Sequence, residues 1–207
     1  MVSVRREKGK LIVVEGPDGA GKTTLCRRLS RVLGERGTDV TLLREPGGVP
    51  LSEQIRVILK GVTEEQPLDE RAETLLFCAA RAQLCRQVIA PALAQGKWIL
   101  LDRFHGSTIV YQGILRGLGT EEVKAVSSFA TAGLPDPDLT LILDVSPQTA
   151  RSRIEARGEP GDALENAALE RLETLISGYA SLEGTHISGE GDPAEVLARA
   201  LAEIDRL

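Results

Sequence analysis

The stretch Gly16 to Thr24 reads G-P-D-G-A-G-K-T-T, and its spacing G-x-x-x-x-G-K-T falls on Gly16, Gly21, Lys22 and Thr23. This is the pattern of a loop that wraps a phosphate chain. Glycines let successive backbone N–H groups turn inward around phosphate oxygens. Lys22 adds a point charge that can follow the β- and γ-phosphates, and the Thr23 hydroxyl suits Mg²⁺. Every residue of the loop, Gly16, Pro17, Asp18, Gly19, Ala20, Gly21, Lys22, Thr23 and Thr24, is thereby a candidate for contact with a nucleoside triphosphate such as ATP. The flanks fit. The run Leu11 to Val14 is apolar like a buried strand, and Thr24 to Glu35 carries Leu25, Leu29, Val32 and Leu33 at helical spacing. A strand, a glycine turn and a helix are the setting the motif requires.

Outward from the loop, short apolar runs alternate with helical patterns. The strands expected are Lys10–Glu15, Val40–Arg44, Trp98–Asp102, Leu139–Val145 and a weaker His186–Ser188. The helices expected are Gly21–Glu35, Leu51–Leu59, Asp69–Ala94, Ser107–Leu115, Thr120–Ala132, Pro147–Ala156, Leu164–Leu182 and Pro193–Ile204. Strands joined by helical crossovers predict an α/β fold, a five-stranded parallel sheet between two helical layers. The 207 residues read as one domain, with no repeat and no dividing linker. The stretch Gly158 to Asp162, G-E-P-G-D, breaks two helical patterns and is a candidate mobile flap.

Composition narrows the function classes. A net charge of −5 speaks against a nucleic-acid-binding surface but leaves room for a local phosphate pocket. Aromatics make up 3% of the chain, so the core must be aliphatic. Cys26, Cys78 and Cys85 form no C-x-x-C pair and read as reduced core residues. No apolar run approaches the roughly 20 residues of a membrane span. The polar, basic N-terminus lacks a signal-peptide pattern, which predicts a cytoplasmic protein.

A triphosphate loop does not say where the phosphate goes. Arg44 ends the second strand and opens R-E-P-G-G, and Asp102-Arg103 ends the third. Ligands of open α/β sheets gather at the carboxyl ends of strands, so Arg44 and Arg103 are candidates to clamp a second phosphate. Asp102 closes W-I-L-L-D and resembles the carboxylate that organises Mg²⁺ through water. Phe77 and Arg81 share a helical face and could stack on and bond a base, although spacing alone favours a core phenylalanine and a solvated arginine. Ser107, Thr108, Tyr111 and Gln112 suit either the edge of a base or sugar or ordinary helix capping. Asp18 needs a hydroxyl or an arginine to face. Arg153 and Arg157, four apart, could cover the transferring phosphoryl group, or form a solvated face.

Taken together, these blocks resemble the thymidylate kinases of bacteria. The matching segments are Glu15 to Thr24, Arg44 to Gly48, Leu75 to Leu84, Asp102 to Gly113, Pro137 to Val145 and Arg153 to Glu159, in order over most of the chain. The resemblance implies a three-layer α/β/α P-loop nucleoside-monophosphate kinase fold with a flap (lid) at about 153–165. It implies transfer of the γ-phosphoryl group of ATP to dTMP, giving dTDP and ADP with Mg²⁺. Carried over by position, Lys22, Asp18, Arg103, Arg153 and Arg157 would be catalytic. Phe77 would stack on thymine, Arg81 and Thr108 would bond it, and Gln112 and Ser107 would line the dTMP side. Tyr111 would crowd the sugar 2′ position, and Arg44 and Arg103 would hold the phosphate. A homodimer is implied, with Asp69–Ala94 at the interface. The flap departs from the pattern, with Ala163 where the family commonly has arginine. Two other readings stay open: a P-loop kinase for another (deoxy)nucleotide or nucleoside, and a weakly active nucleotide-binding regulatory protein. No N-K-x-D or L-S-G-G-Q segment points to a GTPase switch or a transporter ATPase.

Overall fold

Five strands, β1 (Leu11–Glu15), β2 (Val40–Arg44), β3 (Trp98–Asp102), β4 (Leu139–Asp144) and β5 (Thr185–Ser188), form one sheet. All pairings are parallel, in the order β2–β3–β1–β4–β5. The computed structural model describes residues 8–63, 65–158 and 169–207. β1 is buried along its whole length because the sheet is covered on both faces. Its alternate residues divide accordingly. Ile12 and Val14 join one apolar cluster with Leu25, Leu29 and Leu33 of α1 (Lys22–Glu35), and Leu11 and Val13 join another with Leu84, Ile89 and Val49. The first cluster also takes Leu175 and Tyr179 of α8 (Leu172–Ala180) and Ala200 of α9 (Pro193–Ile204).

The register brings the functional ends of three strands level. Val14 and Arg44 both lie beside Asp102, so Glu15, Arg44 and Asp102 end at one edge, next to the loop that follows β1. That edge is where the crevice of an open parallel sheet forms.

The helices between strands are α2 (Pro50–Lys60), α3 (Glu70–Leu84), α4 (Ala90–Ala94), α5 (His105–Thr108), α6 (Thr120–Ala130) and α7 (Pro147–Glu155), besides those already named. Two expected helices are not uniform. The span Asp69–Ala94 winds as α3, then widely over Cys85–Ile89, then as α4. Pro91 lacks an N–H, and its ring would crowd the carbonyl four residues back; the wide turn accommodates this. Likewise α5 is followed by wide turns over Ile109–Leu115, where the N–H of Arg116 reaches the carbonyl of Tyr111. Wide turns of this kind gather at functional sites. Asp69, Ser146 and Asp192 cap α3, α7 and α9 with their side chains. The three cysteines are buried and free, as their spacing predicts. Most of the flap, and the start of the helix expected at Leu164–Leu182, lie outside the described residues.

Candidate active site

The loop after β1 takes conformations that side chains resist. Gly19 has a φ of +80°, and a Cβ there would sit 2.3 Å from the carbonyl oxygen of Ala150. Gly21, at φ +94°, starts α1 in the left-handed region. Lys22 is buried and donates to the carbonyl of Pro17 at 2.7 Å. Burial, reinforced by the Arg103 charge, draws its pKa down to about 8. The lysine is thus poorly solvated and electrostatically suited to phosphate oxygens. Thr23 donates its hydroxyl to Asp102 at 2.6 Å, and Thr24 lies along the same cleft. This cleft is lined by Lys22, Arg27, Arg44, Arg56, Arg103 and Arg157 against the carboxylates Asp18, Glu45 and Asp102. In a chain of net charge −5, that local excess of cations makes a surface suited to anions.

Arg103 is the hub. It follows β3 at φ +72°, the one non-glycine residue among those described with positive φ. Such a conformation is strained and persists only when its surroundings impose it. Here they do. The guanidinium is ion-paired with Asp18 and donates to Ser107 Oγ at 3.0 Å and Tyr179 Oη at 2.9 Å. It also approaches the carbonyl of Gly16 at 3.4 Å. Behind it, Glu15 accepts from the N–H groups of Phe104 and Ser107 and from the Ser107 hydroxyl at 2.6 Å. Tyr111 donates to the second oxygen of Asp18 at 2.5 Å, and Arg103 stacks over the Tyr111 ring. Burial alone would raise the Asp18 pKa; Arg103, Lys22 and the Tyr111 hydroxyl outweigh it and hold the carboxyl well below the usual range. Asp18 is therefore an anion that fixes both Arg103 and Tyr111 at the junction of two cavities.

The second cavity opens on the other side of Asp18 and Arg103. Its walls are Phe77 and Arg81 from α3, Arg56, Leu59 and Lys60 from α2, and Ser107, Thr108, Tyr111 and Gln112. Arg81 is 1% exposed. Its Nε donates to Glu45 at 2.7 Å, Nη1 to Ser127 at 2.9 Å, and Nη2 to the Phe104 carbonyl at 3.0 Å and Thr108 Oγ1 at 2.8 Å. The solvated arginine that helical spacing alone favours is thereby overturned: tertiary packing buries the guanidinium and saturates most of it. Glu45 contributes a second surprise. Burial raises its pKa to about 7 despite Arg81, and its buried Oε1 has no hydrogen-bond partner among the described residues. An apolar ring beside a few fixed polar groups is the usual make-up of a small-molecule pocket.

A family model for thymidylate kinase matches residues 14–183. The chain is similar to a thymidylate kinase of Alkalilimnicola ehrlichii, 40% identical over 95% of this chain and 92% of the relative. It is likewise similar to one of Cereibacter sphaeroides, 43% identical over 95% and 94% of the two chains. A third, from Caldanaerobacter subterraneus subsp. tengcongensis, is 42% identical over 84% of this chain and 82% of its own. The chain belongs to the thymidylate kinase family.

Within that family frame, the structure sorts the arginines. Arg103 and Arg157 line the anion cleft. Arg153 does not: its Nη1 meets the carbonyls of Gly19, Ala20 and Gly189 at 3.3, 3.3 and 3.0 Å, beside a groove shared with Thr24, Gly191 and Pro193. Arg44 lines the cleft but turns to Glu53 at 2.8 Å on its exposed rim. Arg56, from α2, borders both cavities and donates to the carbonyl of Pro46 at 3.1 Å. Sequence reasoning missed Arg56, Lys60, Glu15, Glu45 and Tyr179. Arg56 and Lys60 are four apart on one helix, a spacing that says only that they share a face. Glu15 closes β1 as Asp102 closes β3, and that parallel was available in the sequence.

The donor set fits a small, hard cation carried by a triphosphate. Thr23 Oγ1 and Asp102 Oδ2 lie side by side at the mouth of the phosphate loop. Among the described residues no three or more His, Cys, Asp or Glu side chains converge as a metal cage. A hydroxyl and one carboxylate leave the remaining oxygen ligands to phosphate and water, which is how Mg²⁺ is commonly held in kinases. Among the described residues no helix is long and apolar enough to cross a membrane.

Proposed function

We propose that this chain transfers the γ-phosphoryl group of ATP to dTMP, forming dTDP and ADP, in the cytoplasm. The observation that carries the reading is the Arg103–Asp18 pair, which joins a cation-rich cleft at the phosphate loop to a cavity walled by Phe77 and Arg81. Two anions brought together across that junction need alignment and charge neutralisation more than covalent chemistry. Lys22 and the loop N–H groups hold the donor phosphates. Arg103, with Arg56 and Arg44 nearby, holds the acceptor phosphate. Phe77 stacks on the base, while Arg81 and Thr108 fix its edge. Tyr111, tethered to Asp18, stands against the sugar. The acceptor phosphate oxygen is already ionised near neutral pH, so no general base is required. Mg²⁺, held by Thr23 and through water by Asp102, would neutralise charge on the donor phosphates. Arg157, in the lid at about 153–165, covers the transferring group.

A second copy of the chain completes the molecule in this reading. α3 and α6 pack together and leave Leu75 at 58% and Phe129 at 85% exposure. A homodimer that covers the α3 face would bury them.

A coupled assay of ADP release, run with and without dTMP, tests the catalytic reading. Release that depends on dTMP is expected; release indifferent to it, or no heat of dTMP binding by calorimetry on folded protein, would end it. Analytical ultracentrifugation at micromolar concentration tests the dimer.

A further inference from the structure

One buried carboxylate, behind a residue that walls the acceptor cavity, has no part in the chemistry above. Glu73 of α3 is 2% exposed, and Gln112, on the wide turns after α5, is equally buried and lines the cavity. Gln112 Nε2 donates to Glu73 Oε1 at 2.9 Å. Arg116 braces the same carboxylate, donating from Nη2 to Oε2 at 2.9 Å and from Nε toward Oε1 at 3.4 Å. An amide side chain carries a donor end and an acceptor end of nearly the same shape, and its neighbours decide which faces where. A carboxylate paired with a guanidinium only accepts. The end of Gln112 turned to Glu73 must therefore be the NH₂, and the end left for the cavity is the carbonyl.

We infer that Glu73 is a positioning residue that sets base selectivity by holding the Gln112 carbonyl toward the ligand. The inference rests on the dTMP reading above. A fixed acceptor pairs with the ring N–H of thymine or uracil. Cytosine presents an unprotonated ring nitrogen at that position, so two acceptors would meet, with neither satisfied. Buried polar groups built for one hydrogen-bonding pattern reject its inverse strongly. Arg81, a pure donor, works in the same sense, favouring a ring carbonyl over an exocyclic amino group.

The Glu73→Gln variant tests this. The new amide will offer its carbonyl to Arg116 and its NH₂ to Gln112, which inverts Gln112. Arg116 is 30% exposed and can take water in place of the lost charge. The ratio of kcat/KM for dTMP over dCMP should fall about 10–100-fold, mainly through KM for dTMP, with KM for ATP unchanged. The ratio of dTMP over dUMP should hold, because those bases share one hydrogen-bonding edge; a merely loosened cavity would disturb it too. A dTMP-to-dCMP ratio within about 2-fold of the unaltered protein overturns the inference. Calorimetry on the unaltered protein supplies a check that needs no variant. N3-methylated dTMP should bind at least about 10-fold more weakly than dTMP, and equal binding overturns the inference. Failure of the unaltered chain to phosphorylate dTMP at all would instead remove the underlying reading, and this inference with it.

Discussion

Arg103, held at φ +72° just beyond β3, is ion-paired with Asp18 inside the phosphate loop. The pair lines both the cavity walled by Phe77 and Arg81 and the cleft at the phosphate loop, so the two are built partly from the same residues. Replacing Arg103 by alanine should lower dTMP phosphorylation by about 10²–10³-fold, because in the proposed reading its charge acts where transition-state charge develops. ATP binding should persist, since the loop glycines and Lys22 remain. Steady-state kinetics with nucleotide-binding calorimetry would check this, and near-normal turnover would remove Arg103 from the acceptor clamp.

Arg157 and Arg153 should separate kinetically. Arg157 lines the anion cleft, and Arg153 Nη1 meets carbonyls beside a different groove. Arg157→Ala should depress kcat more than KM. Arg153→Ala should raise KM for ATP more than it lowers kcat. The reverse pattern would exchange the roles assigned to them.

Arg81 and Glu45 form a buried ion pair, 2% and 4% exposed, at 2.7 Å. Removing one partner leaves the other charge buried and unmatched, at a cost of about 3–5 kcal/mol. Glu45→Ala should therefore lower the unfolding free energy by that order in urea titrations. A loss below about 1 kcal/mol would mean that the pair exchanges freely with water.

Burial, with Arg81 close by, pulls the His105 pKa down to about 3, and its Nδ1 lies 2.7 Å from Ser127 Oγ. The unfolded chain takes up that proton below about pH 6.5, whereas the folded one does not until about pH 3. Between those values the unfolded state binds more protons, so stability falls as pH falls. The slope reaches about 1.4 kcal/mol per pH unit. Glu45 acts oppositely between its ordinary 4.5 and about 7, where the folded state binds the extra proton. Comparison with His105→Gln isolates the histidine: the variant should lose less stability than the unaltered protein between pH 6.5 and 4.5. Parallel pH curves for the two would show that His105 charges in the folded protein.

The architecture was open to reading because it rests on local signals. Leu11 to Val14, Trp98 to Leu101 and, but for Thr140, Leu139 to Leu143 are apolar runs of strand length, and between them the helical period is plain. The departures sit where local and tertiary demands compete, as at Pro91 and after Thr108, where helices wind wide. The candidate site was legible in part. Glycine spacing identifies a phosphate loop without help, because only that backbone can form it. A side chain's partner is another matter. Spacing makes Arg81 a solvated cation, and the fold buries it among Glu45, Ser127 and Thr108, residues 36, 46 and 27 positions away.

By itself, then, the order of residues determined the parallel sheet, the phosphate loop and the family, since periodicity and glycine placement act between near neighbours along the chain. The tertiary structure alone decided which cations face the anion cleft, that Arg153 Nη1 meets the carbonyl of Gly189, and that Gln112 donates to Glu73. Those outcomes depend on contacts between distant segments, where burial makes every unmatched polar atom costly and so selects one arrangement.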